Sequence, residues 1–249
     1  MIASFFKSSI KTITPEHLHK KLSYVYNLIK YFGFSRKCPV CSSYLRMFLP
    51  HGVIERNDSV CPVCRVKEHH RLAWLYFNKI NLFKQKLTIL HLAPEPIIRK
   101  KLQQIPTLKY FSGDLYHNSD IRLDACMLPI KDASIDFIYC SHVLNMMPYG
   151  QDIMAMKEFN RVISSDGWAL IQVPIFGEKT IECMPPCTRD KRIEMFEDPD
   201  MYRRYGKDFT QRLSHSGLDI EENHFYVTLS EQTRIRYGIK REAFYVCRK

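Results

Sequence analysis

The tetrapeptide Cys-Pro-Val-Cys occurs twice in this chain, at 38–41 and at 61–64, with nineteen residues between the copies. Two residues between thiols let one tight turn present both sulfurs to a single metal ion, and the proline in each copy restricts that turn. Two such turns at this separation match the spacing of a structural zinc ribbon, with Cys38, Cys41, Cys61 and Cys64 as the metal-ligating set. A zinc tetrathiolate carries a formal charge of about −2, and Arg36, Lys37, Arg65 and Lys67 stand close by in the chain to offset it. Because four thiolates leave no open coordination position, the expected role of the metal is to fold a module too small to fold unaided. Redox cycling of a dithiol is the alternative use of such pairs. Of the other cysteines, Cys126, Cys140 and Cys247 lie in or beside apolar runs and read as core thiols. Cys183 and Cys187 flank Met-Pro-Pro in an irregular stretch, where a metal or nucleophilic role is open.

A second set of chemically capable residues lies at the ends of short apolar runs. LTILHLA (87–93), LKYFS (108–112), IRLDA (121–125), IDFIYCS (135–141) and WALIQV (168–173) read as buried strands, with helices near 96–104 and 150–163. This alternation predicts a parallel sheet covered by helices, which a helix in 205–217 and strands in 218–229 and 242–248 would complete with an antiparallel edge. Ligands of such sheets sit beyond the carboxyl ends of the strands. The first strand runs into His-Leu-Ala-Pro-Glu-Pro, and no glycine lies between Gly52 and Gly113. A loop that cradles phosphate needs glycine so that the backbone can approach the anion, which argues against a dinucleotide or a nucleoside triphosphate. A nucleoside without phosphate remains. Asp114 at the second strand end is suited to ribose hydroxyls, and Asp124 at the third to the amino group of adenine.

The succession HLAPEP, GDLY, DACMLPIKDASIDFIYCSHVLNMMP and AMKEFNRVISSDGWALIQVPI resembles the class I S-adenosylmethionine-dependent methyltransferases of the type-11 group, over about residues 86–249. Together with the doubled CPVC, HRLAWLY and YGKDF, it resembles the bacterial subset that carries an N-terminal zinc ribbon. The resemblance implies an α/β, Rossmann-like, seven-stranded and mostly parallel sheet, with S-adenosylmethionine across its carboxyl edge and structural Zn2+ in the ribbon. By position it implies that His91, Ala93 and Glu95 meet the methionine part, Asp114 with Leu115 the ribose, Asp124 with Ala125 the adenine, and that Ser141 and His142 floor the sulfonium. Where the wider group has an acid, this chain has His91, and where that group has leucine, glutamate and histidine it has Leu144, Asn145 and Met146. His142 is the expected general base, with Tyr149 and His224 behind it. The stretch 174–204 is expected to fold over the substrate.

At 249 residues the chain has room for one ordinary domain and a small module, read here as a basic amphipathic N-terminus (1–35), a zinc ribbon (36–68) and a methyltransferase domain (69–249). Its charge of +11 is uneven: residues 1–37 hold seven Lys/Arg and one acid, Glu16. Thr14-Pro15-Glu16 has the form of a helix start, followed by a stripe of Leu18, Leu22, Val25, Ile29 and Phe32. That stripe is expected to pack on the body of the protein, with a lipid surface or partner helix as alternatives. No apolar run spans a bilayer and no cleavable leader is evident, so the expected location is cytoplasmic, with peripheral membrane contact open through the N-terminal helix. The acceptor expected is a small-molecule or lipid-linked glycan hydroxyl. RNA methylation is the alternative, and a non-catalytic scaffold built on the ribbon is the third reading.

Overall fold

The computed structural model describes residues 16–52, 55–116 and 119–249. The chain divides into two compact units. One runs through Arg71 and takes in Glu231–Ile239; the other comprises Leu72–Ser230 and Lys240–Lys249. Among the described residues no helix is long and apolar enough to cross a membrane.

The smaller unit begins with helix α1 (Glu16–Lys30), followed by two short antiparallel ribbons, β1 (Arg36–Lys37) with β2 (Tyr44–Leu45) and β3 (Leu49–His51) with β4 (Arg56–Val60). The expected Thr14–Pro15 cap lies outside the described residues. Gly33 lets the chain leaving α1 lie against the next ribbon, since a Cβ there would come within 2.9 Å of the Arg46 backbone. The apolar stripe does not pack as expected. Leu22, Val25, Ile29 and Phe32 are all exposed, the side chain of Leu18 lies outside the described residues, and the half-buried positions among the described residues of the helix are Asn27 and Leu28, with Tyr31 just beyond it. The Tyr31 carbonyl accepts from the Arg46 N–H at 2.8 Å, so this other face is the one that meets the ribbons.

Helix α2 (Glu68–Lys79) follows, and the unit boundary falls within it. The larger unit is an α/β fold built on β5 (Leu87–Leu92), α3 (Pro96–Gln103), β6 (Leu108–Asp114), β7 (Ile121–Arg122), β8 (Ile135–Ser141), α4 (Gln151–Val162) and β9 (Ile163–Gln172). After β9 come β10 (Ile181–Glu182), α5 (Arg189–Phe196), β11 (Arg203–Arg204), α6 (Phe209–Ser214), β12 (Asp219–Asn223) and α7 (Phe225–Thr228). Helix α8 (Glu231–Tyr237) belongs to the smaller unit, and β13 (Phe244–Arg248) ends the chain. The central sheet has seven strands in the order β7-β6-β5-β8-β9-β13-β12, parallel from β7 to β9 and antiparallel for the last two. Chain direction across the sheet reverses between β5 and β8, which sets a crevice at their carboxyl ends.

Burial follows the period of two that a covered sheet requires. On one face Leu90, Leu92, Ile138, Cys140, Ala169 and Ile171 form a core with Ala155, Met156 and Phe159 of α4. The intervening positions face the other layer, where Phe77 of α2 packs edge-on to Phe137 and Tyr139 at 5.8 and 5.1 Å. Two expected elements come out shorter. The run 218–229 is a strand only to Asn223 and then turns into α7, which buries Phe225 against Tyr76 and Phe244. The helix expected over 205–217 is confined to α6 because Tyr205 is drawn into the core, where its hydroxyl donates to Asp152 at 2.9 Å.

The segment 174–204 is tied down by charge. Arg203, with no solvent access, donates to Glu182 and to the carbonyls of Leu144 and Pro148, and Tyr202 N–H donates to the Asn145 carbonyl. Arg212 bridges both Asp152 and Glu182. Burial by itself would raise the Asp152 carboxyl, but the hydrogen bonds of Arg212, the charge of Arg203 and the Tyr205 hydroxyl hold it below the usual carboxylate range. A carboxyl with a depressed folded-state pKa stabilises fully above its unfolded value of about 3.9, and that contribution is lost as pH falls through the folded value. Asp152→Asn is therefore expected to destabilise the protein by about 3 kcal/mol at neutral pH, read from urea unfolding. The difference between variant and parent should shrink as the pH is lowered below about 4.

Candidate functional site

Two groupings of side chains gather chemistry, one in each unit. In the smaller unit the four cysteines of the repeated tetrapeptide converge, with all four sulfurs within 4.8 Å of one another. Cys38 and Cys64 Sγ are 3.7 Å apart and Cys41 and Cys61 Sγ 3.8 Å. Four sulfurs at about 2.3 Å from a tetrahedral zinc would stand about 3.8 Å apart, so the set fits that ion. The two turns are copies of one another. Cys38 and Cys61 carbonyls accept from Ser42 and Arg65 N–H at 2.9 Å, and their own N–H groups donate to the Ser43 and Val66 carbonyls. Ser42 and Arg65 both adopt left-handed backbone, with φ of 63° and 67°.

The cation nearest in kind to a counter-charge is one that the chain order does not suggest. Arg36 pairs with Asp58 at 3.0 Å, Lys37 lies over the Tyr44 ring, and Arg65 is exposed. Arg71 is instead wholly buried, close enough to feel the charge of Cys38, Cys61 and Cys64. All five of its N–H groups have acceptors, the carbonyls of Asp58, Ser59, Val66, Tyr237 and Gly238. Cys183 and Cys187, for which metal or nucleophilic chemistry was open, form a disulfide with each other, so neither is a thiol. Cys140 and Cys247 are buried, as expected of core thiols. Half-buried Cys126 is pushed up to about 12 by burial and the neighbouring Asp124 charge, which makes it inert as a nucleophile.

In the larger unit, the second grouping occupies the carboxyl edge of the sheet on both sides of the reversal. Strand β5 ends at His91 and Leu92, and Ala93 turns the chain out through left-handed backbone (φ 47°), its N–H donating to the Gly113 carbonyl at 2.9 Å. Glu95 precedes α3, with Pro96 in the first helical position. His91 is fully buried. Its Nδ1 is 2.9 Å from the Tyr110 hydroxyl and its Nε2 is 3.4 Å from Glu95 Oε2. Burial holds the Tyr110 phenol far above its ordinary value, so it stays protonated and can donate to Nδ1, leaving the ring proton on Nε2 toward Glu95.

On the next strand, Gly113 is required by proximity, because a Cβ would fall 2.3 Å from the Leu123 side chain. That approach sets β7 and the chain after it directly beside β6, with Leu123 N–H donating to the Asp114 carbonyl. Asp114 and Asp124 have matching local geometry. The Oδ1 of each accepts from the backbone N–H two residues on, Tyr116 at 2.7 Å and Cys126 at 2.8 Å. Leu115 is exposed beside Asp114, and Ala125 packs partly into the core beside Asp124.

Strand β8 ends at Ser141, whose buried Oγ has no hydrogen-bond partner. His142 follows in left-handed backbone (φ 55°), and its N–H donates to the Gln172 carbonyl. Its Nε2 lies 3.1 Å from Glu242 Oε1, an atom that also accepts from Gln172 Nε2 at 3.4 Å, while Gln172 Oε1 accepts from the Tyr139 hydroxyl at 3.1 Å. Glu242, Gln172 and Tyr139 were not among the sequence candidates, although a glutamine in the apolar run WALIQV is a visible signal. Tyr149 is exposed in the loop before α4, and His224 faces Glu222 at 3.6 Å. Asn145 is buried with an unpartnered Oδ1, and Met146 is exposed.

Residues 81–171 match the methyltransferase domain family. Among solved structures, a SAM-dependent methyltransferase from Archaeoglobus fulgidus is 12% identical, aligned over 75% of this chain and 96% of that one with a TM-score of 0.51. The 1,6-didemethyltoxoflavin-N1-methyltransferase of Burkholderia thailandensis, solved with bound 1,6-didemethyltoxoflavin and S-adenosylhomocysteine, is 10% identical over 80% of this chain and 98% of that one, with a TM-score of 0.48. No curated protein matches the sequence. At such identity the first of these structures speaks for the fold.

Metal analysis of the purified protein should return close to one equivalent of zinc. Cys61→Ala is expected to lose that metal and, with it, the protease resistance of the smaller unit.

Proposed function

We infer that this chain, which carries a methyltransferase domain in the fold of the class I S-adenosylmethionine-dependent enzymes, transfers a methyl group to a hydroxyl of a small or lipid-linked glycan. The observation that carries the cofactor reading is the pair of carboxylates, Asp114 at the end of β6 and Asp124 just after the neighbouring β7, which are oriented by the same two-residue turn. In this reading Asp114 takes the ribose hydroxyls and Asp124 the adenine, with Leu115 and Ala125 as flanking apolar contacts. Glu95, braced by the buried His91, offers a carboxylate at the first strand end for the ammonium of a methionine moiety, and Ala93 shapes the backbone there. The unpartnered Ser141 Oγ at the fourth strand end supplies a further hydrogen-bonding group beneath the reacting centre.

S-adenosylmethionine, when bound, supplies an electrophilic methyl on a sulfonium. The chain's own contribution is alignment of the acceptor and removal of its proton. His142 is the general base in this reading. A carboxylate only accepts, so the bond to Glu242 assigns the proton of the neutral imidazole to Nε2 and the basic lone pair to Nδ1. Left-handed backbone at His142 is a local strain of about 1 kcal/mol, of the kind that the surrounding structure tolerates at working sites. The anchored segment 174–204 covers the loop after β8 and limits which acceptors can reach the base.

Calorimetry with S-adenosylmethionine should show saturable binding, weakened about tenfold or more by Asp114→Ala or Asp124→Ala, the range for loss of a charged hydrogen bond. Absence of binding to the parent protein would leave a non-catalytic scaffold. Labelled methyl groups incubated with cell extract should partition with glycan or glycolipid. Label in nucleic acid would overturn the acceptor.

A further inference from the structure

Helix α1 is attached to its unit by one side and carries its apolar residues on the other. At about 100° per residue, Leu22, Val25, Tyr26 and Ile29 fall within an arc of about 100°, and Lys21 and Lys30 stand about 40° beyond its two edges. All four apolar residues are exposed, Ile29 to 73%, and Phe32 and Phe34 extend the patch past the helix end as an exposed edge-to-face pair at 5.2 Å. Soluble surfaces scatter such residues singly; a contiguous row on one helix face marks a binding surface. Along the sequence, the charge from the helix to the first ribbons has one sign. No acid occurs in the sequence between Glu16 and Glu55, a stretch that holds Lys20, Lys21, Lys30, Arg36, Lys37 and Arg46.

We propose that this face docks the protein on an acidic phospholipid surface, with Leu22, Val25, Ile29 and Phe32 entering the headgroup boundary and the lysines at its edges meeting lipid phosphates. The geometry is that of an interfacial helix, in which long basic side chains lie along the apolar flank and carry their charges outward. Branched aliphatic side chains distinguish this occupant from RNA. The rings of Tyr26, Phe32 and Phe34 could stack on bases, but Leu22, Val25 and Ile29 in the same row present neither a ring nor a donor for phosphate and gain only from removal from water. The proposal is independent of the catalytic reading, since none of its residues lies at the sheet edge.

The test is flotation of the full, zinc-loaded chain with vesicles of phosphatidylcholine alone or mixed with phosphatidylglycerol. The parent protein should float with the mixed vesicles and little with the neutral ones. Val25→Glu combined with Ile29→Glu should reduce the bound fraction about tenfold or more, with zinc content and melting temperature unchanged because both positions are exposed. Lys21→Glu with Lys30→Glu should abolish the preference for the acidic vesicles. Failure of the parent to float, or full retention by the apolar double variant, would overturn the proposal. So would a parent dimer that the double variant converts to monomer, since the stripe would then be a contact between copies. Retention on RNA in place of vesicles, lost in the same variant, would overturn it as well.

Discussion

A guanidinium shut away from water must find an acceptor for each of its five N–H groups, and Arg71 finds all five on main-chain carbonyls. Two of those carbonyls, at Tyr237 and Gly238, belong to a segment more than 160 residues away in sequence. The remaining three belong to β4 and the second cysteine turn. One side chain thus joins the chain's distant Glu231–Ile239 segment to the cysteine module; burial lowers its pKa, and thiolate charge at Cys38, Cys61 and Cys64 would oppose that cost. The module buries Val40, Leu45, Phe48, Val60, Val63 and Val66, a small core to which this satisfied charge, and a metal on the four sulfurs when bound, would add. The face of Phe48, 3.8 Å from the guanidinium carbon, closes the remaining side.

The larger unit solves the same problem with a network. Arg203 and Arg212 share Asp152 and Glu182, and Arg203 also bonds carbonyls of the loop that follows β8. Removing a buried charge from water costs several kcal/mol unless partners are arranged in advance, so such a network persists only where it fixes something. Here it fixes the position of the loop 144–148 and of the segment that crosses it. Since His142 and Ser141 stand immediately before that loop, the floor of the proposed site inherits its rigidity from arginines that are not part of it.

The sheet strands were legible because buried strands leave continuous apolar runs, and LTILHLA, IDFIYCS and WALIQV become β5, β8 and the second half of β9. The acids at 114 and 124 were legible for the same reason: a carboxylate that interrupts an apolar run marks where a strand leaves the core. The cysteine set needed only its spacing. What could not be read depended on distance along the chain. Arg71 and Arg203 look like surface residues until the structure supplies their carbonyls. Glu242, a hundred residues from His142, is brought beside it only by the antiparallel return of β13. The N-terminal stripe was misjudged because periodicity reports that a helix has an apolar face and says nothing of which way that face points. The half-buried side, at Asn27, Leu28 and Tyr31, was decided by the Arg46 N–H and by the close approach that Gly33 permits.

The loop after β5 shows how a change in sequence shifts the burden of binding. A glycine-rich turn offers bare N–H groups to its ligand, whereas Ala-Pro-Glu-Pro withdraws two of them by covalent closure of the proline rings. The backbone therefore has less to offer, and side chains must supply the polarity. The His91 ring, buried between Tyr110 and Tyr139, is held by the Tyr110 hydroxyl on one nitrogen and directs the other at Glu95. The Nε2 to Oε2 separation of 3.4 Å sets the carboxylate beside the ring without exposing the histidine itself. A loop stiffened by two prolines also enters the bound state with less conformational freedom to lose. In the proposed site the departure from glycine would trade a flexible cradle of amides for a preset one of side chains, which suits an uncharged nucleoside joined to an amino acid better than it suits a phosphate.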